Sequence, residues 1–192
     1  MSSGIDHLII NSPYEEPKQR WEYNHNRMAF ELATGRRAAG YTVASTTKKL
    51  INDPGVFVEI PLVNQVRGRV KDWRENGCAG VSGVTKQLLE HWRDKEARTN
   101  RFFFCQIEAI ETLIWLAEAP DAEKVGIEIP SDGGELNRVC SKMATGTGKT
   151  IVMAMLIAWQ SLNKIIYPTK KGFAKDFLLV APNLTVRSRL SV

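Results

Sequence analysis

The chain has 192 residues, of which 43% are hydrophobic and 24% are charged, and these proportions exclude a disordered chain and favour a folded domain. A surplus of basic residues, 26 Lys and Arg against 21 Asp and Glu, gives a formal net charge of +5 that mildly favours polyanionic partners such as nucleic acid. The three cysteines and three histidines show no zinc-ligand spacing, so a reducing, cytoplasmic setting is expected. No signal peptide or membrane-spanning segment is predicted, because the longest apolar run, 151–159, is too short.

The first residues predict an extended segment followed by short strands. Residues 1–19 are expected to form an extended lead-in, since their second half is polar and holds two prolines. The segments RWEY and RMAFEL flank an Asn-His-Asn turn and predict a β-hairpin, and YTVAS and VFVEI predict two further strands. Residues 20–100 are therefore interpreted as a small α+β region.

Two helices are predicted to complete this N-terminal region. Valines and a tryptophan recur at helical spacing after Pro61, which suits a first helical turn, and Gly77 suits the helix end. A second helix is predicted from Thr85 to Arg93, with Ser82 as its N-cap. Charged residues fill the outer face of the first helix, so it is expected to pack on one side only.

Residues 101–192 predict a different, α/β unit. A core helix is expected from Gln106 to Ala119, because isoleucines and leucines there give a broad apolar face. The following segment, 120–135, is rich in Pro, Gly and acids and holds a short strand candidate, VGIEI.

The order of the remaining segments is the most informative part of the sequence. RVCSKM predicts a strand, ATGTGKT a glycine loop, IVMAMLIAWQSL an apolar helix, and FLLVA a second strand. Strand, loop, helix and strand in this order form the βαβ unit of a parallel sheet with flanking helices.

The glycine loop has the composition of a phosphate-binding loop. Glycines allow the backbone N–H groups to approach phosphate oxygens, a lysine reaches the β and γ phosphates, and a threonine hydroxyl ligates Mg²⁺. The helix that follows adds the positive end of its dipole. The predicted cofactors are ATP and Mg²⁺, with Lys149 and Thr150 as the catalytic pair and Thr150 as the metal ligand. The cofactor-binding residues of the loop are Ala144, Thr145, Gly146, Thr147, Gly148, Lys149 and Thr150.

One position departs from the general phosphate-loop pattern GxxxxGK[ST]. Met143 stands where the first glycine is expected, which argues against adenylate-kinase-like and small GTPase proteins and favours families with a relaxed first position. The alternative is a glycine-rich turn that caps a core helix. That alternative does not require Lys149 and Thr150 at the first helical positions.

KMATGTGKTIVMAMLIAW resembles the first motif of superfamily 2 helicases of the DEAD/DEAH-box type, in particular the type III and type I restriction-enzyme branch. RFFFCQIEAIETL resembles the upstream segment whose glutamine reads adenine, and Gln106 is the matching position. FLLVAPNLTVRSRL resembles the motif whose loop touches the nucleic-acid backbone. The positions that would then contact DNA phosphates are Pro182, Asn183, Thr185 and Arg187.

This resemblance implies the first part of a RecA-like helicase domain, incomplete and preceded by the α+β region. The implied parent protein is an ATP-hydrolysing helicase or translocase, acting on double-stranded DNA and joined by a modification or specificity subunit. Asp176 is the only acidic residue after Lys149, so the chain is expected to be a fragment that does not hydrolyse ATP by itself. Two alternatives stay open: a non-catalytic nucleotide- or nucleic-acid-binding module, and a phosphate-loop ATPase unrelated to nucleic acid.

Overall fold

A computed structural model of the chain describes residues 8–44, 55–96, 98–131, 133–135 and 138–180. Within these ranges the chain forms two antiparallel hairpins and four α-helices. In the described part, no helix combines the length and apolar character needed to cross a bilayer.

The two hairpins come first in the chain and confirm the four predicted N-terminal strands. Strands β1 (Gln19–Asn24) and β2 (Ala29–Thr34) pair in antiparallel register, as do β3 (Gly40–Val43) and β4 (Val56–Glu59). The first hairpin is closed by the Asn24 side chain, whose Oδ1 accepts the backbone N–H groups of Asn26 and Arg27.

Helices α1 and α2 follow the hairpins and also confirm their predictions. Helix α1 (Pro61–Glu75) starts with its proline in the first turn, where a missing N–H has no cost, and buries its valine and tryptophan stripe. Helix α2 (Gly83–Arg93) is capped by Ser82, whose hydroxyl accepts the backbone N–H of Thr85 at 3.0 Å.

Helices α3 and α4 carry the candidate site. Helix α3 (Phe104–Glu118) begins two residues before the predicted start. Helix α4 (Lys149–Ile166) covers the predicted apolar segment and begins directly at the glycine loop. The first turn of α3 therefore carries Gln106, and the first turn of α4 carries Lys149 and Thr150.

All four helices share one hydrophobic core. Helices α1 and α2 come from the predicted N-terminal region and α3 and α4 from the predicted α/β unit, so the core spans the expected boundary at residue 100. Its most buried members are Val70, Trp73, Leu89, Ile110, Ile114, Trp115, Met155 and Trp159. The helices on both sides of that boundary are thus held together by the same apolar burial.

A buried polar network fixes α4 against α2 and α3. The Glu118 carboxylate of α3 accepts hydrogen bonds from the Thr85 hydroxyl at 2.6 Å and the Trp159 indole N–H at 2.8 Å through one oxygen. Its second oxygen accepts the Ser82 backbone N–H at 2.8 Å. The Asn163 amide of α4 donates to Thr85 at 2.9 Å and accepts from the Ser82 hydroxyl. Because every member has a partner, the network can be buried without a large desolvation penalty.

The predicted parallel sheet is not present among the described residues. Neither 138–143 nor 177–180 pairs as a strand, and the VGIEI segment, 125–129, forms no strand after a single 3₁₀ turn at Asp121–Lys124. Parallel strands are buried on both faces and bonded on both edges, but Leu178 is 90% and Val180 84% exposed. The strands predicted from RVCSKM and FLLVA, and the parallel sheet they would form, are therefore not shown within the described residues.

Candidate nucleotide-binding site

The glycine loop adopts the backbone conformation that its two glycines permit. Gly146 and Gly148 both lie in the left-handed region, with φ of 81° and 78°. A side chain would be strained at either position, so the local sequence determines the shape of the loop. Gly148 also caps the N-terminus of α4, which places the loop on the axis of an 18-residue helix.

The loop presents a row of backbone N–H groups without internal partners. Among the described residues, no acceptor bonds the N–H groups of 145–150, whereas the next two N–H groups, of Ile151 and Val152, bond to the Gly148 carbonyl. Unpaired amides at the start of a helix are the groups that bind phosphate oxygens. The loop therefore has the donors that a polyphosphate needs.

Side chains of the loop are arranged around these amides. The Lys149 ammonium donates to the carbonyls of Met143 at 2.9 Å and Ala144 at 2.7 Å, so it folds back across the loop mouth. The Thr147 hydroxyl donates to the same Ala144 carbonyl at 2.7 Å. Thr150 is exposed, and its hydroxyl has no hydrogen bond within the described ranges. A lysine charge and a free hydroxyl thus lie at the first two positions of α4.

Gln106 lies directly behind the loop. Its side chain is buried, with its Oε1 accepting the Phe103 backbone N–H at 2.9 Å and its Nε2 donating to the Thr147 carbonyl at 3.0 Å. A Cβ atom at Gly148 would lie 2.1 Å from Gln106 Nε2, so the two residues are in close contact. An amide has two donors and two acceptor sites, and these bonds use one of each. Gln106 therefore holds the loop and keeps one donor and one acceptor in reserve.

The three phenylalanines before α3 have different surroundings. The Phe102 ring lies under the Arg98 guanidinium at 4.2 Å, and the Phe104 ring lies under Arg74 at 5.6 Å. The Phe103 ring instead pairs with Tyr14 at 5.7 Å. Of the three rings, Phe103 is therefore the one beside Gln106 without a cation on its face among the described residues.

Two contributions to the site were missed from the sequence. Tyr14 comes from the predicted lead-in, and its place beside Phe103 depends on a bond between the Phe104 N–H and the Pro13 carbonyl at 2.8 Å. Glu108 of α3 binds Arg36 through both oxygens, at 2.5 and 2.6 Å, which raises the pKa of that guanidinium and ties α3 to the hairpins. Both contacts join residues far apart in sequence, so no local pattern predicts them.

The predicted nucleic-acid contacts cannot be placed on the structure. Pro182, Asn183, Thr185 and Arg187 lie outside the described residues. They stay predictions that rest on the sequence resemblance alone.

Comparison with known proteins gives one family match, and it covers the segment that carries the loop. Residues 99–191, just under half of the chain, match the sequence model of a family described as the res subunit of type III restriction enzymes. The match supports a helicase-like superfamily for this segment and includes both Gln106 and the loop. Among curated proteins and solved structures, no significant match to the chain was found.

Proposed function

We propose that the chain binds ATP with Mg²⁺ at the loop of residues 144–150, as the nucleotide site of a DNA helicase or translocase related to restriction-enzyme helicase subunits. The observation that carries the proposal is the row of N–H groups at 145–150 without partners among the described residues. Lys149 and Thr150, at the start of α4, would then supply the charge on the β and γ phosphates and the oxygen ligand for Mg²⁺.

The proposal extends to the base. The unused donor and acceptor of Gln106 suit the adenine edge, which offers one acceptor and one donor side by side. Phe103, paired with Tyr14 beside Gln106, would supply the flat surface against the ring. Gln106 would then couple adenine binding to the placement of the phosphate loop, because its side chain already donates to the Thr147 carbonyl.

The proposed partner is double-stranded DNA, with backbone contacts from Pro182, Asn183, Thr185 and Arg187. This part rests on the resemblance of FLLVAPNLTVRSRL to the motif whose loop touches the nucleic-acid backbone. The proposed activity of the whole protein is ATP hydrolysis coupled to movement on DNA, and a modification or specificity subunit is its proposed protein partner. Asp176 is the one acidic residue after Lys149 and precedes an exposed segment, so we propose that this chain alone binds ATP without turnover.

Titration with a fluorescent ATP analogue in the presence of Mg²⁺ tests the proposal. Lys149→Ala should abolish binding, since it removes the charge that faces the phosphates. Lys164→Ala, which removes a lysine near the other end of the same helix, is the matched control and should bind as the wild type does. A Lys149→Ala chain that binds the analogue as tightly as wild type would refute the assignment.

A further inference from the structure

A second cleft lies on another face of α3. Phe104, Ile107 and Glu111 form its floor, and their spacing of three and four residues places them on one helix face. Gln106 is not on that face, so this cleft is separate from the phosphate loop. The ends of α1 and α2 and the lead-in form its walls. We call it the arginine–aromatic cleft, and its other lining residues include Tyr14, Arg74, Arg93, Lys95, Arg101 and Phe102.

At the floor of the cleft, two arginines form ion pairs with one buried carboxylate. Glu111 is fully buried and accepts from Arg74 Nε at 2.5 Å and Arg93 Nε at 2.8 Å. Burial opposes the charge of Arg93, but Glu111 and the Cys78 thiol outweigh it, so the pKa of Arg93 is raised. Arg74 binds Glu111 through Nε. Its two terminal nitrogens make no hydrogen bond within the described ranges and are left for a ligand.

The rim of the cleft adds two positive charges. Lys95 and Arg101 line the cleft, and neither has a carboxylate partner among the described residues. The cleft also contains Asp94, so four cations face two carboxylates, one of which is already shared by two arginines. The cleft is therefore a site for anions.

Aromatic rings lie beneath the cations. The Arg101 guanidinium lies 4.8 Å from the centre of the Tyr14 ring, and Arg98 lies 4.2 Å from that of Phe102. Stacked guanidinium and aromatic planes are flat surfaces on which an unpaired base can add a further layer. Tyr14 is 40% exposed, so this end of the layer is open to solvent.

We propose that the arginine–aromatic cleft binds unpaired nucleotides of single-stranded nucleic acid. Phosphates lie on Lys95 and Arg101, and one base stacks at Tyr14 and Phe102. The cavity volume, about 200 Å³, is sufficient for one unpaired base. An acidic peptide would satisfy the cations and leave the rings unused, so the rings favour nucleic acid.

The test is fluorescence anisotropy of a labelled oligothymidine with the full chain, without ATP, where binding that persists in Lys149→Ala is binding outside the phosphate loop. Charge reversal by Lys95→Glu with Arg101→Glu should weaken binding at least about tenfold. It should also reduce the slope of log affinity against log salt by about 1.4, or about 0.7 for each lost phosphate contact. Tyr14→Leu keeps the apolar bulk and should weaken binding by about fivefold through lost stacking.

Lys86→Glu with Lys175→Glu makes the same charge change at two exposed positions away from the cleft and should change affinity less than twofold. The proposal is overturned if wild type does not bind the oligonucleotide or if the control pair weakens it as much as the cleft pair. It is also overturned if polyglutamate displaces the oligonucleotide at equal charge concentration, because that result identifies the cleft as a peptide site.

Discussion

The two faces of helix α4 are packed in opposite ways. One face buries Val152, Met155, Trp159 and Asn163 at helical spacing against the other helices. The opposite side leaves apolar side chains exposed, among them Met153 at 38% and Ile165 at 68%. Within the described residues, the helix that begins at the phosphate loop is therefore packed from one side, and the loop takes its position from that side.

The same contrast separates the back of the loop from its front. Behind the loop, Gln106 is buried and bonded to main chain on both sides. In front, Lys149 and Thr150 are exposed and the loop amides have no hydrogen-bond partner among the described residues. A rigid back and an open front are what a pre-organised anion site needs, because the donors are held in place before the ligand arrives.

The largest expected effect is a loss of stability when the buried network behind α4 is broken. Glu118→Ala removes the acceptor of the Thr85 hydroxyl, the Trp159 indole and the Ser82 N–H, so it should lower the free energy of unfolding by at least about 3 kcal/mol. Urea denaturation measures this change. Glu90→Ala, on the exposed face of α2, should stay within about 0.5 kcal/mol of wild type. A loss no larger than that of Glu90→Ala would show that the buried network does not fix α4.

A smaller effect tests the contact between the packed back and the loop. Gly146 and Gly148 share nearly the same φ, but only at Gly148 would an added Cβ have atoms within 4 Å, and the nearest of these is Gln106 Nε2 at 2.1 Å. Gly148→Ala should therefore weaken binding of the ATP analogue about tenfold more than Gly146→Ala, or by about 1.4 kcal/mol. Equal losses in the two variants would mean that Gln106 does not position the loop.

The smallest effect concerns the base. Gln106→Ala removes the spare donor and acceptor, and a single neutral hydrogen bond contributes about 1 kcal/mol. The preference for ATP over GTP should fall about fivefold in a competition titration, while Gln87→Ala on the exposed side of α2 leaves it unchanged. If both nucleotides weaken equally, Gln106 holds the loop and does not read adenine.

The difference between local and distant contacts explains what the sequence could predict. Helices α1 to α4 follow from apolar periodicity and caps such as Ser82, and the loop follows from its glycines, all of which are local signals. The contact of Gln106 with the Thr147 carbonyl, 41 residues away, has no local signal. Of the strands expected at 138–143 and 177–181, none forms over the described residues 138–143 and 177–180, and a strand also depends on distant residues, because neighbouring strands must accept its hydrogen bonds.

The central claim is that Mg-ATP binds at the start of α4, on the open side of the packed helices. Backbone amide NMR of the ¹⁵N-labelled chain during Mg-ATP titration tests it most directly. Saturating shifts should concentrate at Gly146, Gly148, Lys149 and Thr150, while the buried amides of Val70 and Trp73 in α1 stay in place. Loop amides that do not shift, or shifts that saturate elsewhere, would contradict the assignment.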